Sequence, residues 1–231
     1  MDHKDFRLIP ALDTTDLSAA ARLVSAVGEA QAVYGFKVGF GLGLAHGLPR
    51  VVEAIRKSSA KPILYDHQKA GTDIPDTGRL FAETLRGAGV DEAILFPHAG
   101  PAVLAAWVAA CSEAGLKVIV GGLMTHRGYV RSEGGFLADE AIPEIYRLAH
   151  REGVRAFVVP LTKPAATRLL VRELDLGACE FYSPGYGAQG GDPGAFDFIR
   201  RHYVIVGRSL LKAPDPLHYV QEVSDALARC P

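Results

Sequence analysis

The chain has 231 residues, with 25 basic against 26 acidic side chains and 48% hydrophobic residues. This length and composition are typical of a globular protein with one large core or two small ones, and no apolar run approaches the roughly 18 residues of a membrane span. A formal net charge of -1 argues against binding that rests on bulk attraction to nucleic acid or to an anionic membrane.

Short, nearly continuous apolar runs recur along the chain, and each ends in a polar or glycine-rich turn. Runs of this kind are typical of parallel strands that are buried on both faces. They predict eight strands, at residues 7–13, 34–40, 62–67, 92–98, 117–124, 156–161, 179–186 and 203–210.

Segments with apolar residues at a 3.6-residue period lie between these runs and predict helices at residues 17–27, 102–111, 139–151, 164–171 and 216–228. Eight strand-then-helix units of about 28 residues each indicate an α/β fold, a (β/α)8 TIM barrel that forms a single domain over residues 1–231. An open doubly wound sheet of six strands is the main alternative, and the count of eight disfavours it.

In a barrel of this class, ligands bind at the carboxyl ends of the strands. Nearly every predicted strand brings a polar or charged side chain to that end. In chain order these are Asp13, Lys37, residues 66–73, His98, Thr125 with His126, Lys163, Gln189 and Arg208. Such regular placement predicts an enzyme whose active site lies at this rim.

A glycine-rich segment, residues 183–194, follows the seventh predicted strand. Glycines let a backbone approach a ligand closely, and the N–H groups of such a turn bind anions. Arg208, at the end of the eighth predicted strand, has a guanidinium suited to bidentate phosphate binding. These features predict a phosphate site. The alternative is a long flexible loop, with Arg208 paired to a surface acid.

Acids and amines alternate at the first three predicted strands: Asp13 closes the first and Lys37 lies on the second. Asp66, Lys69 and Asp73 cluster after the third. A lysine held between carboxylates stays protonated and can deliver a proton to a developing carbanion. A carboxylate close to a substrate carboxylate would also favour its loss as CO2. Spacing alone leaves open a purely structural ion-pair network at the rim.

Other candidates carry less weight. His67, His98 and His126 lack the helical i,i+4 spacing of a zinc motif, so no metal site is predicted. Residues 39–44 contain Gly-x-Gly but lack the third glycine of a dinucleotide-binding loop. A charged N-terminus without an apolar stretch predicts no secretory signal, and the few scattered cysteines predict a reduced, cytoplasmic protein. The remaining candidates are assigned to the core or an interface: Cys111, Cys179 and Trp107.

These segments resemble the orotidine 5'-monophosphate decarboxylase family. Ser183-Pro-Gly-Tyr-Gly-Ala-Gln-Gly-Gly-Asp-Pro-Gly is similar to that family's phosphate loop, and residues 206–216 are similar to its last strand and helix. Residues 11–13, 36–39 and 73–77 match as well, so the resemblance runs the whole length of the chain in order.

The resemblance implies a decarboxylation without cofactor or metal, in which orotidine monophosphate (OMP) loses CO2 from C6 and the resulting carbanion is protonated to give UMP. It implies that Lys69 donates the proton and that Asp66 crowds the substrate carboxylate. Asp13 and Lys37 would hold the ribose hydroxyls and the charged network, and Asp73 completes the charged set.

The resemblance also assigns the rest of the nucleotide. Thr125 stands where the family usually has a serine against the pyrimidine, and the phosphate would be held by the loop that includes Pro184, by Gln189 and Arg208, and by the backbone of Gly207. Asp73, Ile74 and Thr77 would reach the neighbouring subunit's site, which implies a homodimer with shared active sites.

Two departures from the family pattern affect these expectations. The family reads Asp-x-Lys-x-x-Asp, whereas this chain has two extra residues between Asp66 and Asp73. Along a strand, Asp66 and Lys69 would point apart unless the backbone bulges, or His67 and Lys69 would share a face. Gly71 could absorb the insertion. In addition, Arg127 replaces a proline near the expected pyrimidine end.

Two other functions therefore remain open. One is a magnesium-dependent phospho-sugar enzyme on the same barrel, resembling hexulose-phosphate synthase, which would stabilise an enediolate. The other is a non-catalytic nucleotide-binding barrel that binds UMP without turning over OMP.

Overall fold

The computed structural model describes residues 4–67, 70–187 and 189–229. Eight parallel strands form one sheet in the order β1-β8-β7-β6-β5-β4-β3-β2. The strands are β1 (Asp5–Pro10), β2 (Phe36–Gly39), β3 (Ile63–Asp66), β4 (Glu92–Leu95), β5 (Lys117–Gly121), β6 (Ala156–Val158), β7 (Glu180–Ser183) and β8 (Arg201–Val206).

The sheet closes into a barrel between β1 and β2. Tyr34 N–H donates to the Leu8 carbonyl at 2.8 Å, and Leu12 N–H donates to the Lys37 carbonyl at 2.8 Å. Both bonds lie beside isolated bridges rather than within a continuous ladder. The predicted (β/α)8 barrel is confirmed.

Helices alternate with the strands around the barrel. In the described ranges they are α1 (Leu17–Val27), α2 (Phe40–His46), α3 (Leu48–Arg56), α4 (Thr77–Gly87), α5 (Pro101–Glu113), α6 (Ala141–Arg151), α7 (Pro164–Glu173), α8 (Arg208–Leu211) and α9 (Pro216–Ala228). The predicted bounds of α1 and α9 are confirmed. Asp16 and Asp215 cap the first turns of these helices by accepting backbone N–H bonds at 3.0 Å. None of the helices in these ranges is both long and apolar enough for a transmembrane segment.

Several strands are shorter than the sequence predicts. The predicted strands at 7–13, 117–124, 156–161 and 203–210 end at Pro10, Gly121, Val158 and Val206. Apolar residues continue past these points, but they lie outside the strands. Asp13 therefore lies in the loop that follows β1, not at its last residue.

The apolar core has two layers. One fills the barrel interior, with inward-facing residues such as Ile9, Leu64, Ile94, Ile119 and Ile205. The larger layer lies between the outer strand faces and the helices. A TIM barrel is a packed core rather than a pore, so only its two ends are available for polar groups.

The amino-terminal end of the barrel is closed by a polar network that the sequence does not predict. Lys117 Nζ donates to the hydroxyls of Tyr34 at 3.0 Å and Tyr182 at 2.9 Å, and it also binds the Glu180 carboxylate. Tyr34 in turn donates to Glu92 at 2.5 Å. We call Tyr34, Glu92, Lys117, Glu180 and Tyr182 the floor network.

Candidate active site

A cavity of about 270 Å³ opens at the carboxyl-terminal end of the barrel, near the lower end of the volumes usual for small-molecule sites. Residues predicted from several different strands meet there. Those lining it are Asp13, Lys37, Asp66, Thr125, Pro184, Gln189, Gly207 and Arg208. The structure therefore joins the predicted acid–lysine cluster and the predicted phosphate residues in one cavity.

Lys37 is the centre of the charged part. Its Nζ lies 3.2 Å from Asp13 Oδ1 and 2.9 Å from Asp66 Oδ2. The Lys37 and Asp66 side chains are buried at 9% and 7% exposure, whereas Asp13 is 47% exposed. Gly207 leaves room for Asp13, since a Cβ at that position would lie 3.2 Å from its Oδ2.

Burial and charge act in opposite directions on Lys37. Burial alone would lower the pKa of its ammonium, but the carboxylates of Asp66 and Asp13 outweigh that effect, and the pKa lies above the usual 10.5. Lys37 is therefore a cation at neutral pH. It holds a buried carboxylate and a half-exposed one close together on the cavity wall.

The glycine-rich segment after β7 forms a compact turn beside the cavity. Gly191 N–H donates to the Gly185 carbonyl at 3.0 Å, and Gly190 N–H donates to the Gly187 carbonyl at 2.9 Å. Gly185 and Gly187 have φ of 112° and 71°, which side-chain-bearing residues rarely adopt. A Cβ at Gly187 would also lie 2.9 Å from Ser209 Oγ. Glycine is thus required for this turn to lie against the start of α8.

An apolar surface forms the deep part of the cavity, and sequence reasoning did not single it out. It consists of Ile94, Phe96, Leu123, Val158 and Ile205. The period-2 alternation along each predicted strand is the signal that could have found these residues, because inward-facing positions near the carboxyl ends must line the mouth. Such a surface suits the face of a planar ring.

Three predicted residues lie elsewhere. Asp73 and Thr77 line a second cavity together with Tyr65 and Leu80, and Ile74 is 58% exposed at the surface. Within one chain, the structure does not bring these residues to Lys37.

The strand-three insertion is described only in part. Lys69 lies outside the described residues, so its alignment with Asp66 stays a prediction. Gly71, the predicted point of accommodation, has φ of 88°, and a Cβ there would lie 3.1 Å from Pro97 Cα. The Ala70 carbonyl accepts the Phe96 N–H at 2.7 Å, which ties this segment to the residue after β4.

The remaining rim residues have local partners. His98 binds the Tyr129 hydroxyl, and Lys163 binds Glu133. Arg127, the residue that replaces the family's proline, is exposed. Tyr65 and His67 are joined by a bond of 2.9 Å between the hydroxyl and Nδ1. Across residues 4–67, 70–187 and 189–229, no group of three or more His, Cys, Asp or Glu side chains is placed to hold a metal ion.

Comparisons with known proteins agree on one family. The model described as "Orotidine 5'-phosphate decarboxylase / HUMPS family" matches residues 7–223. The chain is 32% identical to an orotidine 5'-phosphate decarboxylase of Methanosarcina mazei over 95% of this chain and 94% of that protein. It is 34% identical to that of Methanococcoides burtonii over 97% and 98%.

Solved structures give the same result. The crystal structure of orotidine 5'-monophosphate decarboxylase from Methanocaldococcus jannaschii, complexed with the inhibitor BMP, superposes with a TM-score of 0.84. The match covers 98% of this chain and 100% of that one, at 26% identity.

Proposed function

The chain belongs to the orotidine 5'-phosphate decarboxylase / HUMPS family, and we propose on that premise that it converts OMP to UMP and CO2 in pyrimidine nucleotide biosynthesis. The observation that carries this function is the single cavity that joins buried, doubly paired Lys37 to Gln189 and Arg208. The pyrimidine ring of the nucleotide would lie at the Lys37 end of that cavity, and its phosphate would lie at the end with Gln189 and Arg208.

The phosphate would bind at the glycine-rich turn. Gln189 and Arg208 line the cavity there, and the backbone of Pro184 and Gly207 borders it. Binding energy from a phosphate that does not react can hold the distant ring in its reactive position, which raises the rate of the chemical step. Arg208 suits this role because its planar guanidinium can donate two parallel bonds.

The reacting ring would lie over the apolar surface, with its carboxylate toward Asp66. Asp13 and Lys37 would bind the ribose hydroxyls, and Thr125 would contact the pyrimidine. When the bond from C6 to the carboxylate carbon breaks, the electron pair stays on C6 and neutral CO2 leaves. The Lys69 ammonium would then transfer a proton to C6, and solvent would restore that proton afterwards. A fixed cation beside C6 stabilises charge that develops only in the transition state.

The direct test is a spectrophotometric assay of OMP loss, with and without EDTA. The decarboxylase predicts equal rates, because no metal takes part in the proposed steps. Loss of activity in EDTA, with recovery on adding Mg²⁺, would instead favour the phospho-sugar type of chemistry. UMP binding without any OMP turnover would favour the non-catalytic barrel.

The proton donor is tested by Lys69→Ala. This variant should lose turnover by a factor of about 10³ or more while UMP binding remains measurable. Lys57→Ala is the matched control, because Lys57 is an exposed lysine just after α3 that pairs with Glu53. A near-normal kcat in Lys69→Ala would reject the assignment.

We further propose a homodimer that shares its active sites. Four of the large apolar side chains that are more than half exposed lie between β2 and β4 in the chain: Phe40, Leu44, Ile74 and Leu80. His67 links two of them, since its ring lies 6.2 Å from that of Phe40 and it lines the same cavity as Leu80. A second copy that covers this surface would bring its own Asp73, Ile74 and Thr77 toward the Lys37 cavity.

Subunit mixing tests the shared site. Asp73→Asn and Lys69→Ala chains are each expected to be inactive alone, and their heterodimer should have one complete site. Random mixing at equal amounts should restore about a quarter of wild-type activity, since half of the dimers are heterodimers with one intact site of two. Absence of any recovery from dimers shown to have exchanged subunits would contradict the shared site.

A cytoplasmic location is also part of the proposal. Cys111 and Cys179 are both free and buried, as suits a reducing compartment. Cell fractionation tests it, and recovery of the protein in a membrane or secreted fraction would contradict it.

A further inference from the structure

Residues 73–77, the segment proposed to reach the neighbouring subunit's site, are hydrogen-bonded to one buried indole ring of their own chain. Trp107 lies on α5, is the only tryptophan of the chain, and is 4% exposed. Its Nε1–H donates to the Ile74 carbonyl at 3.0 Å, across 33 positions of sequence. A buried tryptophan usually finds a partner for its N–H, and here that partner is the backbone of the crossing segment.

The backbone of Ile74 is fully engaged on the inner side. The Thr77 hydroxyl donates to the same carbonyl at 2.8 Å, and the Asp73 carboxylate accepts the Ile74 N–H at 2.8 Å. Both backbone groups of Ile74 are thus bound within the chain, while its side chain stays 58% exposed. Two donors on one carbonyl also fix the orientation of the peptide that follows Ile74.

The same ring sets the position of α4, which begins at the end of the segment. A Cβ at Gly78 would lie 2.8 Å from Trp107 Cδ1, so only glycine allows the helix backbone to rest on the indole. Phe81, one turn further along, packs on the other part of the indole with ring centroids 4.9 Å apart. One side chain therefore orients both the crossing segment and the helix that anchors it.

We propose that Trp107 is a positioning residue for the active site of the other subunit. Through its bond to Ile74 it would hold Asp73, Ile74 and Thr77 in the geometry in which they complete that site. The inference rests on the proposed shared site. It differs from a role in the core, because a core role would affect the chain that contains Trp107 and not the neighbouring site.

The experiment uses purified heterodimers that contain a single working site, made from differently tagged chains. In the reference heterodimer, one chain is wild type and the other carries Lys69→Ala. In the first test heterodimer, Trp107→Phe is added to the Lys69→Ala chain, which supplies residues 73–77 to the working site. In the second, Trp107→Phe is placed instead on the chain that keeps Lys69.

Phenylalanine keeps an aromatic ring against Gly78 and Phe81 but removes the N–H donor. The first test heterodimer should lose about tenfold in kcat/KM relative to the reference, as expected for one lost positioning bond. The second should stay within about twofold of the reference. Phe81→Leu is the packing control: it disturbs the ring contact and keeps the N–H, so its two arrangements should match each other.

Other outcomes overturn the inference. Equal losses in both arrangements would mean a general effect on folding, and no loss in either would mean that the bond positions nothing. A loss only in the second arrangement would place the effect in the subunit's own site. Failure of the shared site itself is recognised separately, because Asp73→Asn and Lys69→Ala chains would then not complement.

A second variant covers the case in which Trp107→Phe chains do not fold. Gly78→Ala would place a methyl group 2.8 Å from Trp107 Cδ1 and displace the indole from the Ile74 carbonyl. The same asymmetry between the two arrangements is expected. Equal activities of the two Gly78→Ala heterodimers would contradict the inference.

Discussion

The two ends of the barrel each hold a lysine among carboxylates, yet the two settings differ. Lys37, at the carboxyl end, lies between Asp13 and Asp66 on the wall of an open cavity. Lys117, at the amino end, donates to two tyrosine hydroxyls and to Glu180, so every ammonium proton has an acceptor. The rings of Tyr34 and Tyr182 also lie 5.3 and 5.5 Å from its Nζ.

This difference shows that residue type alone does not identify a catalytic lysine. A buried charge needs a partner of opposite charge at either end of the barrel. A buried ion pair is therefore weak evidence for function. What distinguishes Lys37 is its position at the carboxyl ends of the strands, in the same cavity as the glycine-rich turn. The floor network closes the opposite end and is expected to contribute stability.

The largest expected effect comes from Lys37→Met. Removing the ammonium leaves the neighbouring carboxylates of Asp13 and Asp66 on the cavity wall without the cation between them, and it disrupts the preorganised charge. We expect kcat/KM for OMP to fall by about 10³-fold. Lys117→Met is the matched variant at the other end, and its folded fraction should keep kcat/KM within about twofold. A Lys37→Met enzyme within tenfold of wild type would remove the distinction between the two ends.

Lys117→Met should lower the stability of the folded protein. Loss of the Lys117 ammonium leaves the Glu92 carboxylate buried without its cation. The Glu92 side chain is 4% exposed, whereas that of Lys117 is 35% exposed. The free energy of unfolding should fall by about 2–3 kcal/mol. This loss is smaller than is usual on breaking a fully buried ion pair, because solvent screens the ammonium. Urea unfolding at pH 7 measures this change.

Acidity should reduce that loss of stability. Burial raises the pKa of Glu92 in the folded state, so the folded protein binds this proton more readily than the unfolded chain does. Unfavourable burial of the Glu92 charge therefore diminishes as pH falls toward its usual pKa of 4.5. The gap between Lys117→Met and wild type should be smaller at pH 5 than at pH 7, and a gap that widens would contradict the assignment.

A smaller effect is expected from arginines at the two ends. Arg208→Ala should weaken UMP binding by about 10- to 100-fold and change uridine binding little, because a charge-assisted bond to phosphate is lost. Arg201→Ala removes an arginine from the amino end, where it pairs with Glu180 at 3.2 Å. Its UMP affinity should be unchanged. Isothermal titration of both variants makes the comparison, and unchanged UMP affinity in Arg208→Ala would rule out the phosphate role.

The smallest effect is expected at alkaline pH and is shared by both ends. The acids around Lys37 and Lys117 outweigh burial and raise both pKa values above 10.5. Their stabilising contributions are thus complete below pH 10.5 and are lost as pH rises through the folded-state pKa values. Lys117→Met should lose less Tm than wild type between pH 9.5 and 11.5. Lys57→Ala, which removes an exposed lysine, should follow wild type.

Much of the architecture was predictable from local patterns. Apolar runs bounded by turns identified all eight strands, and the 3.6-residue period of apolar residues identified the bounds of α1 and α9. Helix α2 was not predicted, because four of the residues in and beside it are glycines with low helix propensity. Burial of Leu42 against the core stabilises that helix, and single-sequence patterns contain no information on such a contact.

The candidate site divides in the same way. Lys37, Asp66, Gln189 and Arg208 were predictable because each lies on or after a strand near its carboxyl end, and these ends meet at one rim. The apolar surface around Phe96 was missed because its residues look like ordinary core. The bond from Trp107 to Ile74 was equally unpredictable, since it joins two elements through a backbone carbonyl that has no sequence signature.

By itself, the sequence determined the barrel, the polar rim and the glycine-rich turn, because periodicity and backbone preference are properties of neighbouring residues. Only the tertiary structure decided which acids hold which lysine, and at which end of the barrel. Lys117 and its partners Tyr34, Glu92 and Glu180 come from separate strands or the turns before them, so closure of the sheet is what brings their charges together.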